Sequence, residues 1–422
     1  MGLISKLAWR NIFRQKRRTI LTILTMTGGF VLSSLAIGWM EGSYGGMILF
    51  FTNHRTGQIQ VHKDGYLDDP SIYDIIDDYE SIGDQIEAIE DVRAWVPRIY
   101  TGALIASRAQ DAPSGIYANS AAASVIGIDP AMEQNATDFS EQITDGRMLT
   151  ASAADTSLRA TGQILLGKEL AITLNVAAGD SLILFSQAAD GSGADRRYIV
   201  TGIVSTGNTE LDRTTCYLTL ADAQLLFALE GKVHELAVMT TSLGDVEKVT
   251  AEISAMTDSL GLSTASWKVF AKEFYNGMQA DEASLKIMLA IIIAVAALGV
   301  LNTILMMVLE RRREFGVMKA IGTQPKSIVK MIVLEANVMG LVSIVLGSIL
   351  STIGLLILSK HGMILDPPLD YGGFTFREMV ASVTPGCYWI PAVCIMITAS
   401  IVSLIPAVKA AHTDAAKSMR KV

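Results

Sequence analysis

The sequence predicts a membrane α-helical protein with four transmembrane helices and a large α+β domain inserted between helices 1 and 2, outside the cytoplasm. Three observations carry this. Mean hydropathy is positive, +0.38, and only 18% of residues are charged, against about a quarter in a soluble chain. The charge deficit sits in four apolar blocks, 19–40, 287–309, 331–358 and 388–408. The cations crowd particular block ends. At 1.5 Å per residue, roughly 20 residues cross a hydrocarbon core of about 30 Å, so each block is long enough to span. In lipid the backbone must satisfy its own hydrogen bonds, so each should be a helix.

The first segment, 1–18, reads as a cytoplasmic or interfacial helix. Ile4, Ala8 and Ile12 share one face, and Lys6, Arg10, Arg14 and Arg17 share another. That pattern suits a lipid surface, and the same cations serve equally as a topology signal. The first span, 19–41, is too long for a signal-peptide core and no small-x-small cleavage site follows, so it is expected to stay as an anchor. Arg311, Arg312, Arg313 and Lys319 follow the second block, and Lys409, Lys417, Arg420 and Lys421 follow the fourth. The positive-inside rule then places both termini in the cytoplasm.

Residues 42–283 form the outer domain, large enough for its own core. Short β-rich runs recur at 58–62, 124–128, 181–185, 197–204, 216–220 and 235–240. Helical periodicity marks 71–89, 168–174, 221–229 and 245–260. Stretches rich in Gly, Ala and Ser at 107–123, 151–160 and 188–195 read as loops. The second span is 284–309, with the polar 273–286 extending the same helix outward as a stalk. A cytoplasmic loop, 310–330, precedes the third span, 331–358. The outer loop 359–387 contains Pro367-Pro368 and Gly372-Gly373 and cannot be one regular element. The fourth span is 388–408, and 409–422 is a cytoplasmic tail.

Few motifs suggest chemistry. Residues 162–169, GQILLGKE, approach a phosphate-binding loop, but Glu169 stands where Ser or Thr must bind Mg²⁺. His234-Glu235 begins a zinc-protease motif without its second His, and His54 and His62 look isolated. Three cysteines, Cys216, Cys387 and Cys394, give no disulfide framework. No catalytic residue, cofactor site or metal site is expected in this chain, and no nucleic-acid partner. Within the spans, Asn302 could hydrogen-bond another helix, and Gly29 and Gly347 permit close helix approach. Glu335, about a turn inside the third span, either contacts another subunit or snorkels to the interface. The most informative segment is 310–330. Its amphipathic helical core ends at Gly322, and Pro325 then starts another helix. A short helix held between two spans presents a rigid surface to a cytoplasmic partner.

Here the chain resembles the permeases of the FtsX-like/MacB-like superfamily of ABC transporters, which includes the lipoprotein-releasing permeases. Their coupling element reads approximately E-R-x-x-E-I-G-x-x-[KR]-A-x-G-[AT]. Glu310, Arg311, Glu314, Gly316, Lys319, Ala320, Gly322 and Thr323 match it, with Phe315 in place of Ile. Glu335 matches an acidic position of the third span. Pro406, Ala407, Ala410 and Ala411 match the exit sequence, where the usual Asp-Pro is Asp414-Ala415. The outer domain is also similar, through Leu165, Gly167, Lys168, Leu170, Asn175, Gly179 and Asp180, and again through Gly202, Thr206, Gly207, Leu211 and Asp212.

The resemblance implies a bacterial inner-membrane permease whose outer domain is periplasmic and MacB-like. It implies a cytoplasmic ABC ATPase dimer as partner, which would hold the ATP and Mg, and a second permease copy or a paralogue. The ATPase-coupling residues would be Glu310, Arg311, Glu314, Phe315, Gly316, Lys319, Ala320 and Gly322. The implied work is extraction of lipoproteins or another lipid-anchored cargo. The alternatives are driving a periplasmic adaptor and efflux duct, or activating a cell-wall hydrolase, whose relatives have a much smaller outer domain.

Overall fold

The computed structural model describes residues 16–108, 117–150, 161–371 and 373–412. Most of the expected surface helix 1–18, the loop 151–160 and the end of the tail, including Asp414-Ala415, lie outside the described residues. The chain divides into two compact units. One is built from residues up to 46, 278–365 and 378 onward; the other is built from 47–277 and 366–377.

The first unit contains the parts of four long helices that are apolar enough to cross a membrane. These helices are Lys16–Phe51, Lys272–Glu310, Pro325–His361 and Gly386–His412. The first continues ten residues past the boundary drawn at 41, running through Gly42 and Gly45-Gly46 to a π-turn at Thr52–Thr56. The second is unbroken for 39 residues, about 58 Å, so the stalk and the span are one helix. The third starts with Pro325 in its first turn and ends at Gly362, whose φ of 59° suits glycine. Pro391 and Pro406 lie inside the fourth helix, and both are buried. Neighbouring helices can tolerate such breaks in the backbone ladder.

Packing follows the small residues. A Cβ on Gly347 of the third helix would lie 2.6 Å from the ring of Phe30 on the first, and Phe30 is fully buried. A Cβ on Gly29 would meet Ala296 of the second helix at 3.2 Å. One end of the bundle encloses an apolar cluster of Met26, Val300, Ile304, Val308, Ile328, Ile332, Ala399 and Ala407.

The second unit is α+β. Its main sheet has ten strands among the described residues. Six of them close a ring. β3 (Val92–Arg108) pairs with β4 (Tyr117–Ile128), and β4 pairs in parallel with β9 (Thr215–Thr219). β9 meets β6 (Gly162–Gly167), which runs parallel to β8 (Gly193–Val204). β7 (Ser181–Gln187) pairs with β8 on one side and with β3 on the other. Closure leaves these strands without an open edge that could recruit another chain. The rest of the sheet extends from β3 through β11 (Glu235–Thr240) and β1 (Ile59–Lys63) to β12 (Leu262–Ser266), and β5 (Ile143–Gly146) pairs with β8.

Several expectations are corrected. The helix predicted over 71–89 spans only Tyr79–Glu87. Asp78 adopts a left-handed conformation at φ 51°, and Ile76–Asp77 (β2) pairs as a strand with Lys232–Val233 (β10). Strand pairing takes both described ends of the predicted loop 107–123, and β8 takes 193–195 from the loop 188–195. The near-phosphate-loop is strand β6 running into the helix Lys168–Leu174. Its Gly167 is required by packing: an added Cβ would lie 2.2 Å from the Asp212 carbonyl oxygen. The outer loop 359–387 contains a two-stranded hairpin, Met363–Tyr371 with Phe374–Met379.

Candidate functional site

The segment between the second and third spans folds as a nine-residue helix, Arg312–Ala320. Gly322 ends it at φ 96°, with Gly322 N–H donating to Lys319 O and Thr323 N–H to Met318 O. This places a positive-φ glycine just past the helix, satisfying two terminal carbonyls. Three side chains fasten the helix to the bundle. Phe315 is 2% exposed and belongs to the bundle's apolar cluster. Arg311 donates from Nη1 to both Glu335 oxygens at 3.1 Å and from Nε to Glu314 at 3.0 Å. Lys319 Nζ donates to the Ala411 carbonyl at 2.6 Å, on the last turn of the fourth helix. The Arg311 guanidinium also lies 5.2 Å from the centre of the Phe315 ring. An aliphatic residue at 315 would lack this cation–π contact.

Glu335 neither snorkels nor lies on a surface another subunit could reach. It is 1% exposed and ion-paired within its own chain. Gly316 is buried, whereas Glu310 and Ala320 are exposed. The fastening leaves an apolar face outward, with Val317 51% and Ile321 79% exposed. Sequence reasoning missed these two, because an amphipathic count does not show which side of a short helix is already occupied. Asn302 is exposed on the second helix. It lies in a line with Met288, Ile291, Val295, Leu298, Leu305 and Leu309, spaced alternately three and four residues apart.

The family model for the MacB-like periplasmic core domain matches residues 19–256, and that for the FtsX-like permease C-terminal region matches 286–415. The chain belongs to the FtsX-like/MacB-like permease family. Among curated relatives, a lipoprotein-releasing system transmembrane protein LolC from Xylella fastidiosa is 22% identical over 191 residues, covering 44% of this permease and 46% of the relative. An uncharacterized ABC transporter permease from Methanocaldococcus jannaschii is 29% identical over 179 residues, covering 40% and 45%. The permease thus spans about half the length of these relatives. Among solved structures, the periplasmic region of MacB from Actinobacillus actinomycetemcomitans aligns with a TM-score of 0.35 at 14% identity, covering 54% of the permease and 98% of that chain.

The permease also carries a buried polar network in its outer domain. Arg98 donates to both oxygens of Glu133, at 2.8 and 3.3 Å, and to Glu235 at 3.4 Å. It also donates to the Arg55 carbonyl in the π-turn that ends the first helix. Glu235 further accepts from Tyr100 at 3.0 Å and pairs with His62 Nε2 at 3.1 Å. His62, isolated in the sequence, is therefore part of a network. His234 accepts from Tyr100 N–H at Nδ1, so its other nitrogen donates to Ile72 O. Burial pushes the His234 pKa below its ordinary value. Burial also opposes charge on Glu235, but the hydrogen bond and charge of His62 and the charge of Arg98 outweigh it and hold that carboxyl below its usual range.

Proposed function

We propose that this chain is the permease subunit of an ABC transporter. A separate cytoplasmic ATPase dimer, holding the ATP and Mg, drives it through the helix Arg312–Ala320, and the chain itself catalyses nothing. The observation that carries this is the threefold fastening of that helix by Phe315, Arg311–Glu335 and Lys319–Ala411. A helix so tied moves with the third and fourth spans. The outward pair Val317 and Ile321 is apolar and offers a docking face. A charge there, Val317→Asp or Ile321→Asp, should abolish ATPase stimulation in proteoliposomes with the cognate ATPase while membrane insertion stays normal. Unchanged stimulation in both variants overturns the coupling assignment.

The cargo we propose is a lipoprotein or another lipid-anchored substrate, taken from the outer leaflet of the inner membrane. Sequence similarity to LolC supports it. A second permease copy is proposed along the second helix. The line from Met288 to Leu309 is a heptad seam that is largely exposed, with Asn302 as its single polar member. Both termini are placed in the cytoplasm, from the cations flanking the spans.

A second reading is mechanical, with the outer domain driving a periplasmic adaptor or a hydrolase. The Arg98 junction favours it, because it fastens the end of the first helix to the sheet through buried polar contacts. Mass spectrometry of the gently isolated complex separates the two. A retained acylated protein supports extraction, and a retained adaptor or hydrolase supports the mechanical reading.

A further inference from the structure

At the start of the third helix lies a groove of about 710 Å³ lined by Pro325, Lys326, Val329, Lys330, Val333 and Leu334, with Asn337 and His412 at its ends. That is far more space than the ~30 Å³ of one water. Among the described residues no carboxylate lines it and neither lysine forms an ion pair. We infer that this groove binds one anionic phospholipid, with its phosphate on Lys326 and Lys330 and an acyl chain along Val329, Val333 and Leu334.

The order of chemistry along the groove selects that occupant. Lys326, Lys330, Val333, Leu334 and Asn337 fall on one helix face spanning about 17 Å. The two lysines fall in the first two turns of the helix, with Val329 between them, and Val333 and Leu334 follow further along it. A phospholipid has the same order: an anionic head, then a hydrocarbon chain. Basic pockets between membrane helices recognise anionic headgroups in this way. His412 Nδ1 donates to Val408 O at 3.0 Å, which holds its ring at the end of the fourth helix. The chain's own residues 1–15 do not complement the mouth, because they include Lys6, Arg10 and Arg14 and no acid. The groove wall at Ala411 is the residue whose carbonyl Lys319 grips. A lipid there would therefore brace the wall that anchors the short helix.

This inference rests on the spans crossing a bilayer, not on transport. Its test accordingly needs no ATPase. The full chain is purified from nanodiscs holding equal phosphatidylglycerol and phosphatidylcholine, and its retained lipid is counted by native mass spectrometry. The expected result is one retained phosphatidylglycerol per chain, enriched over phosphatidylcholine by roughly 25-fold, from about a factor of five per lysine for two lysines. Lys326→Gln/Lys330→Gln should abolish the enrichment. Val333→Trp should displace the lipid with both lysines in place. Lys360→Gln, at the far end of the same helix, should retain it. Equal retention of the two lipids, or unchanged enrichment in the double-lysine and Val333→Trp variants, overturns the inference.

Discussion

Two residue-scale features make measurable predictions. The first is the Arg311–Glu335 pair, whose side chains are 11% and 2% exposed. Removing one partner of a buried pair strands the other charge and costs about 3–5 kcal/mol, whereas replacing both by apolar groups is often neutral. Glu335→Ala should therefore lower the thermal midpoint of the purified chain in detergent, by less than that full cost because Arg311 keeps Glu314. Arg311→Met/Glu335→Leu should recover most of it while still losing coupling, because the tie to the short helix is gone. The second feature is the His234–Glu235 network. His234 is held below its ordinary 6.5, so as pH falls past 6.5 the unfolded chain takes up a proton that the folded chain refuses. Stability then falls. Glu235 is held below its ordinary 4.5. Its contribution is complete above that value and is lost as pH falls through the folded one. A pH series of thermal midpoints should be level above about pH 7 and show two successive acid losses, with His234→Gln reducing the first.

Among the elements, the helices were legible because each is a long apolar run, a signal contained within one segment. The ring of strands was not. β3 interrupts its β pattern with Pro97, Gly102 and Ala103, and its pairing with β7 joins stretches about eighty residues apart. The buried network was equally hidden: His62 and Glu235 stand 173 positions apart. The coupling helix was legible as a helix, yet what fastens it, Glu335 and Ala411, lies on other elements. Gly347 was legible as a small residue, but its role needed the partner. A Cβ there meets the Phe30 ring at 2.6 Å, closer than real Cβ contacts, so Gly347→Ala should cost about 1–3 kcal/mol. Gly29→Ala, at 3.2 Å from one Cβ, should cost less in the same unfolding assay. On the second helix, Asn302 sits where a single polar residue fixes the register of a two-helix seam. Cysteines at Leu298 should cross-link between copies in one register. Adding Asn302→Leu should spread the cross-links to cysteines at Val295 and Leu305 without abolishing association. Cross-links that remain confined to 298 would remove Asn302 from the seam.

At the scale of the whole molecule, everything proposed for the short helix requires that it face the compartment holding ATP, and orientation follows from charge. Lys16 and Arg17 begin the first helix, Arg311, Arg312 and Arg313 begin the loop that carries the short helix, and Lys409 closes the fourth. Four spans place these three groups on one side, and cation-rich short loops stay in the cytoplasm. The outer domain is too long for its own charges to decide its side, since long segments translocate largely regardless of charge. The prediction is made in a background with Cys216, Cys387 and Cys394 replaced by Ala, so that single new cysteines report position. Ser192→Cys, exposed on the outer domain, should react with a membrane-impermeant maleimide in intact spheroplasts. Gln324→Cys, exposed between the short helix and the third span, should react only after lysis. Labelling of Gln324→Cys in intact cells would invert the molecule. It would place Val317 and Ile321 where no cytoplasmic ATPase could reach them, and Lys326 and Lys330 in the opposite leaflet.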